Sequence, residues 1–268
     1  MAYAPDARPL ILDAYDRGYA LPAFNVCSVE MVRACIEAAE EVRAPILLQT
    51  YPADLAQLPA PHMAALVRSM AGAAAVPVAL HMDHGPDDAT VLACLRAGFG
   101  SVMLDGSDLA HDALEMRTAR LAWVAHAQGA ALEVAAESFD AGRGARTVPD
   151  EARRLREAGS DMVAVSVGSE HGQAATLDLP LLRRIADAVQ GPLVLHGGSG
   201  IGASDLRAAC TMGVVKVNVG SASYRALRSV WRDSADAPSH RAVYERARAA
   251  LRAVALERID AAGAAARA

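Results

Sequence analysis

Residues 76–83 read Val-Pro-Val-Ala-Leu-His-Met-Asp, followed at once by His84 and Gly85. The run is apolar on both faces a strand would present, instead of alternating, as expected of a parallel strand covered on both sides. Comparable runs stand at 23–26 (Ala-Phe-Asn-Val), 46–50 (Ile-Leu-Leu-Gln-Thr), 101–105 (Ser-Val-Met-Leu-Asp) and 131–137 (Ala-Leu-Glu-Val-Ala-Ala-Glu). Three more stand at 162–168 (Met-Val-Ala-Val-Ser-Val-Gly), 192–197 (Pro-Leu-Val-Leu-His-Gly) and 214–219 (Val-Val-Lys-Val-Asn-Val). From Asn25 in the first to Asn218 in the eighth the spacing averages about 28 residues, the length of one strand-helix unit.

Eight such units predict an α/β fold, a (β/α)8 TIM barrel that takes residues 1–268 as a single domain. An open doubly wound sheet is the alternative, since spacing does not show closure; no G-x-G-x-x-G follows the first run, which weighs against a dinucleotide fold. Between the runs lie helical stretches. Residues 29–41 place apolar side chains at i, i+3, i+4 and i+7, with Ser28 as N-cap. Pro149, Asp150 and Glu151 suit a first helical turn. A C-terminal extension is predicted as helices at 222–232 and 240–262.

Composition excludes several classes. The chain of 268 residues is 53% hydrophobic and 21% charged, without the roughly 18-residue apolar run that a membrane span needs. Its 26 basic and 31 acidic residues leave a charge of -5 and no basic cluster for a row of phosphates, so neither membrane nor nucleic acid is an expected partner. The first residues show no basic stretch followed by an apolar block, so the cytoplasm is the expected compartment. Cys27, Cys35, Cys94 and Cys210 are scattered, without a C-x-x-C pair, and read as buried thiols.

In such barrels reactive groups collect at the C-terminal ends of the strands. His81 and His84 lie at the end of the third run, His171 just past the sixth and His196 at the end of the seventh. Imidazoles converging from three strands make a ligand set for a catalytic metal; hydrogen-bonded rim histidines are the plainer alternative. Asp83 and His84 would face opposite sides of a straight strand, so one of them must already be in the turn. Gly197-Gly198-Ser199-Gly200 before a helix near Ala203, and Gly220-Ser221 after the eighth run, offer backbone N–H groups to a phosphate, or are merely flexible loops.

Five strings in register carry a resemblance: Ala-Phe-Asn-Val (23–26), His-Met-Asp-His-Gly (81–85), Val-Gly-Ser-Glu-His-Gly (167–172), Leu-His-Gly-Gly-Ser-Gly-Ile (195–201) and Lys-Val-Asn-Val (216–219). From about residue 8 to the C-terminal helix the chain resembles the class II, zinc-dependent ketose-bisphosphate aldolases, on the fructose- and tagatose-bisphosphate side. The resemblance implies zinc, or another divalent metal, on His84, His171 and His196, and Asp83 as catalytic acid/base. It also implies a dihydroxyacetone phosphate site of Asn25, Gly172, Gly197, Gly198, Ser199, Asn218, Gly220 and Ser221. Further implications are a phosphorylated sugar substrate, a homodimer or homotetramer, and a monovalent cation in some members. In such an aldolase the bound metal stabilises the enediolate left when the carbon-carbon bond breaks, while the aspartate moves the hydroxyl proton.

Two departures stand out. The family's fifth strand typically reads Glu-Ala-Glu-Leu-Gly, and a glycine-rich loop with an acidic proton carrier follows it. This chain has Glu133-Val134-Ala135 and a short loop in which Glu137 or Asp140 is the candidate carrier and Arg143 a candidate for an anionic group. On the eighth strand Gly220-Ser221 replaces the usual Ala or Asp then Thr. Asp105 and Asp108 would touch metal or substrate, or cap a helix. Two rival functions remain: a Schiff-base aldolase using Lys216, the chain's one lysine, and a sugar-phosphate-binding paralogue without turnover.

Overall fold

The third run becomes a strand, but displaced by two residues: Pro77 has no N–H to donate and contributes only its carbonyl, which accepts from the Ile46 N–H at 3.1 Å, while pairing continues through Gly85. The computed structural model describes residues 3–106, 108–135, 146–169 and 174–268. The barrel strands are β1 (Leu21–Asn25), β2 (Ile46–Thr50), β3 (Val78–Gly85), β4 (Ser101–Leu104), β5 (Ala131–Ala135), β6 (Met162–Ala164), β7 (Leu193–Leu195) and β8 (Val214–Val219). Each pairs in parallel with the next, and β1 also pairs with β8, so the sheet closes. The open-sheet alternative is thereby set aside.

Helices cover the outside: α1 (Arg8–Arg17), α2 (Val29–Glu41), α3 (Pro52–Leu55), α4 (Ala60–Gly72), α5 (Asp88–Ala97) and α6 (His111–Ala127). They continue with α7 (Pro149–Glu157), α8 (Leu179–Val189), α9 (Ala203–Cys210), α10 (Ser221–Arg232) and α11 (His240–Ala261). Their starts follow local chemistry. The Ser28 hydroxyl accepts from the Met31 N–H, Asp87 from Thr90 and Asp178 from Leu181, each satisfying a first-turn donor that the helix leaves open. Among the described residues, no helix is long and apolar enough to cross a membrane.

Leu48, Leu80, Val102, Leu132, Val163, Leu195 and Val217 are sealed between barrel and helices, each worth about 1.5–3 kcal/mol of burial. The upper interior is polar instead: Gln49, His81, Glu133 and Lys216 are wholly buried there. Since unpaired buried polar groups cost free energy, this layer must satisfy itself internally, and that requirement builds the site.

Candidate active site

The conflict between Asp83 and His84 is settled by the backbone. His84 takes φ 52°, a left-handed conformation, and the pairing of β3 with β4 shifts register between Met82 and Gly85. Such a conformation is uncommon for a residue with a Cβ, and here it brings two consecutive side chains to one side. His84 Nε2 lies 3.8 Å from Asp83 Oδ1 and 3.1 Å from His196 Nδ1.

Each imidazole is held from behind. His84 Nδ1 is 3.0 Å from Asp105 Oδ2, and His196 Nε2 is 3.0 Å from Glu133 Oε1. With those nitrogens donating to carboxylates, the two facing nitrogens present lone pairs to each other. At 3.1 Å that arrangement repels unless a proton or a cation lies between them. Two imidazoles with carboxylates behind them, and the Asp83 carboxylate alongside, suit a divalent ion; their candidate ligand atoms lie within 4.8 Å of one another. Burial opposes a charge on His84, but the Asp105 hydrogen bond and the charges of Asp83, Asp105 and Glu133 outweigh it and raise its pKa.

Asp83 is fixed by three amides. Asn25 Nδ2 and Gln49 Nε2 donate to its Oδ2 at 3.0 and 3.1 Å, and Asn218 Nδ2 donates to its Oδ1 at 2.9 Å. Gln49 also donates to Asn25 Oδ1 at 2.9 Å, so β1, β2, β3 and β8 share one network.

Lys216 lies below. Its Nζ donates to Asn218 Oδ1 at 2.6 Å and pairs with Glu133 Oε2 at 2.9 Å, wholly shielded from solvent. Committed to this ion pair, the ammonium is not presented as a nucleophile, and a Schiff-base enzyme is not favoured. His81 is not brought to the metal-facing cluster: its Nδ1 meets Ser101 Oγ at 2.8 Å, and burial together with the Lys216 charge holds its pKa well below the usual value.

The glycine loop after β7 forms a short 3-10 turn over Gly198–Gly200. A Cβ at Gly198 would come 2.3 Å from Val217 Cγ2 and 2.7 Å from Asn218 O, so only glycine lets this loop settle onto β8. Ser199 Oγ accepts from the Ala222 N–H at 3.1 Å and thereby ties the loop to the start of α10, where Gly220 and Ser221 lie. Arg258 of α11 donates from Nη1 to the carbonyls of Gly198 and Ile201 at 3.1 and 3.0 Å, bracing the loop from the C-terminal extension.

The structure therefore brings together Asn25, Asp83, His84, His196 and Asn218, with Gly197, Gly198, Ser199, Gly220 and Ser221 on the adjoining loops. His171, Gly172, Glu137, Asp140 and Arg143 lie outside the described residues. Asp105, at the end of β4, stands behind His84, with its Oδ2 3.0 Å from the ring Nδ1. Asp108 is exposed and does not cap α6, whose N-cap is Ala110. Gln49, Glu133 and Arg258 were not singled out as site residues. A glutamine and a glutamate inside otherwise apolar runs signalled the first two, whereas nothing in the sequence marks Arg258.

Residues 6–267 match the family model described as class-II fructose-bisphosphate aldolase. A fructose-bisphosphate aldolase of Streptococcus pyogenes serotype M1 is 34% identical over 246 residues, covering 85% of this chain and 83% of that one. The D-tagatose-1,6-bisphosphate aldolase subunit GatY of Klebsiella oxytoca is 32% identical over 268 residues, covering 92% and 93%. The crystal structure of the YdjI aldolase from Escherichia coli K12 superposes with a TM-score of 0.90 at 29% identity, covering 99% of both chains. A closed barrel, a histidine pair at its mouth and a match over nearly its whole length place this chain in the class II fructose-bisphosphate aldolase family, as a metal-dependent aldehyde-lyase.

Proposed function

We propose that the protein cleaves and forms ketose phosphates with dihydroxyacetone phosphate as the ketone half, using zinc held by His84, His171 and His196. The observation that carries this reading is the 3.1 Å approach of His84 Nε2 to His196 Nδ1, each ring backed by a carboxylate, beside Asp83. A divalent ion bound there supplies Lewis-acid polarisation of the ketone carbonyl.

Asp83 takes the hydroxyl proton as the carbon-carbon bond breaks and returns it in the condensation direction. Asn25, Gln49 and Asn218 hold its carboxylate so that this transfer needs no side-chain search. The Gly197–Gly200 turn, Gly172, Gly220 and Ser221 form the phosphate pocket, which orients the ketone half. A homodimer or homotetramer, a cytoplasmic location and stimulation by a monovalent cation complete the proposal by family likeness. The test is proton exchange at C3 of dihydroxyacetone phosphate, followed by mass or NMR, in zinc-loaded and chelator-treated protein. Exchange that needs the metal supports the reading; none in the zinc-loaded protein rejects it.

A further inference from the structure

The assignment of the ketone half leaves the aldehyde half to a neighbouring sector of the mouth, since β1 adjoins β8. Phosphate belongs with the loops after β7 and β8. Asp83 serves the hydroxyl on the carbon that becomes the aldehyde, and its carboxylate is held from the β1 and β2 side by Asn25 and Gln49. The ends of β1 and β2, on the side from which Asn25 and Gln49 hold Asp83, are therefore the sector considered for the departing half.

At that rim Tyr224 Oη, one turn into α10, donates to Asp54 Oδ2 at 3.0 Å, tying α10 to α3 across the end of β1. Asp54 follows Tyr51, whose ring stands edge-on to His84 with centroids 5.7 Å apart. Among the described residues Asp54 forms no ion pair with an arginine, lysine or histidine. Partial burial and the nearby Asp83 charge raise its pKa, and Tyr224 also feels Asp83. The rim thus presents phenol and carboxylate oxygens beside a second carboxylate.

We infer that Asp54 and Tyr224 form the aldehyde subsite and that it selects an uncharged, hydroxylated aldehyde over a phosphorylated one. This rests on the aldolase reading above. Tyr224 Oη and the Tyr51 backbone engage the Asp54 carboxylate, whose further lone pairs accept from sugar hydroxyls and whose charge repels a phosphate dianion.

The experiment follows condensation of dihydroxyacetone phosphate with racemic glyceraldehyde and with racemic glyceraldehyde 3-phosphate, using zinc-loaded enzyme. In wild type, kcat/KM for glyceraldehyde should exceed that for its phosphate by about tenfold, the scale of one like-charge contact near a protein surface. Asp54→Asn should reduce the ratio about tenfold, whereas Tyr224→Phe, which keeps the carboxylate, should leave glyceraldehyde the preferred partner. Asp54→Ser serves the same purpose if the asparagine variant does not fold. Preference for the phosphate in wild type, an unchanged ratio in the Asp54 variants, or no turnover of either aldehyde by enzyme that exchanges the C3 proton overturns the inference alone. Absence of that exchange in zinc-loaded wild type overturns the aldolase reading and this inference with it.

Discussion

Glu133 and Lys216 form an ion pair at 2.9 Å inside the barrel, and the other Glu133 oxygen holds His196 at 3.0 Å. One carboxylate thus fixes which nitrogen of His196 turns toward His84. Glu133→Gln should weaken zinc binding by about 10–100-fold, the usual cost of losing such a partner. Competition with a chromogenic chelator measures this directly; unchanged affinity would show that Glu133 does not orient the ring.

Lys216→Met leaves Glu133 buried with its charge uncompensated. Removing one partner of a buried pair costs about 3–5 kcal/mol, so thermal unfolding should begin well below the wild-type temperature. Borohydride added to wild type with dihydroxyacetone phosphate should leave no adduct on Lys216 by mass spectrometry. A labelled lysine would restore the Schiff-base alternative.

For Asp83→Asn the side-chain volume is kept and the proton acceptor is lost. Turnover should fall by about 10²–10⁴-fold, while metal stays bound through the histidines. Zinc analysis alongside kinetics separates these effects; loss of the metal as well would make Asp83 a ligand.

Ser199→Ala unties the glycine loop from Ala222. A lost neutral hydrogen bond is worth about 0.5–1.5 kcal/mol, so KM for phosphorylated substrate should rise by roughly 3–10-fold with kcat little changed. A KM equal to that of wild type would remove this tie from the phosphate pocket.

Burial pushes the thiols of Cys35, Cys94 and Cys210 up to about 12, and all four cysteines are free. At pH 8 a thiol of that pKa is roughly one part in ten thousand thiolate. A thiol reagent should label only Cys27 at a measurable rate in the folded protein and all four after denaturation. Rapid labelling of more than one native thiol would contradict the packing around α2, α5 and α9.

The strands were legible because burial on both faces keeps each run mostly apolar around its few site-facing polar residues, and α2 because Ser28 marks its start. Runs were read too long where a chain leaves the barrel still apolar: the stretch 162–168 pairs only through Ala164. The supports of the site were less legible. Gln49 and Glu133 come from β2 and β5 and Asp105 from just past β4, and only closure of the sheet shows which oxygen meets which nitrogen. The four-residue α3, which places Asp54, is too short for a helical period to register.

The left-handed turn at His84 has a consequence for how such an enzyme changes over time. The Asp83 carboxylate and the His84 imidazole ride on consecutive residues, so their separation is limited by covalent geometry instead of by two segments docking. On the proposed reading, changes in rim segments such as the one carrying Asp54 would retune which aldehyde is accepted while Asp83 and His84 keep their spacing.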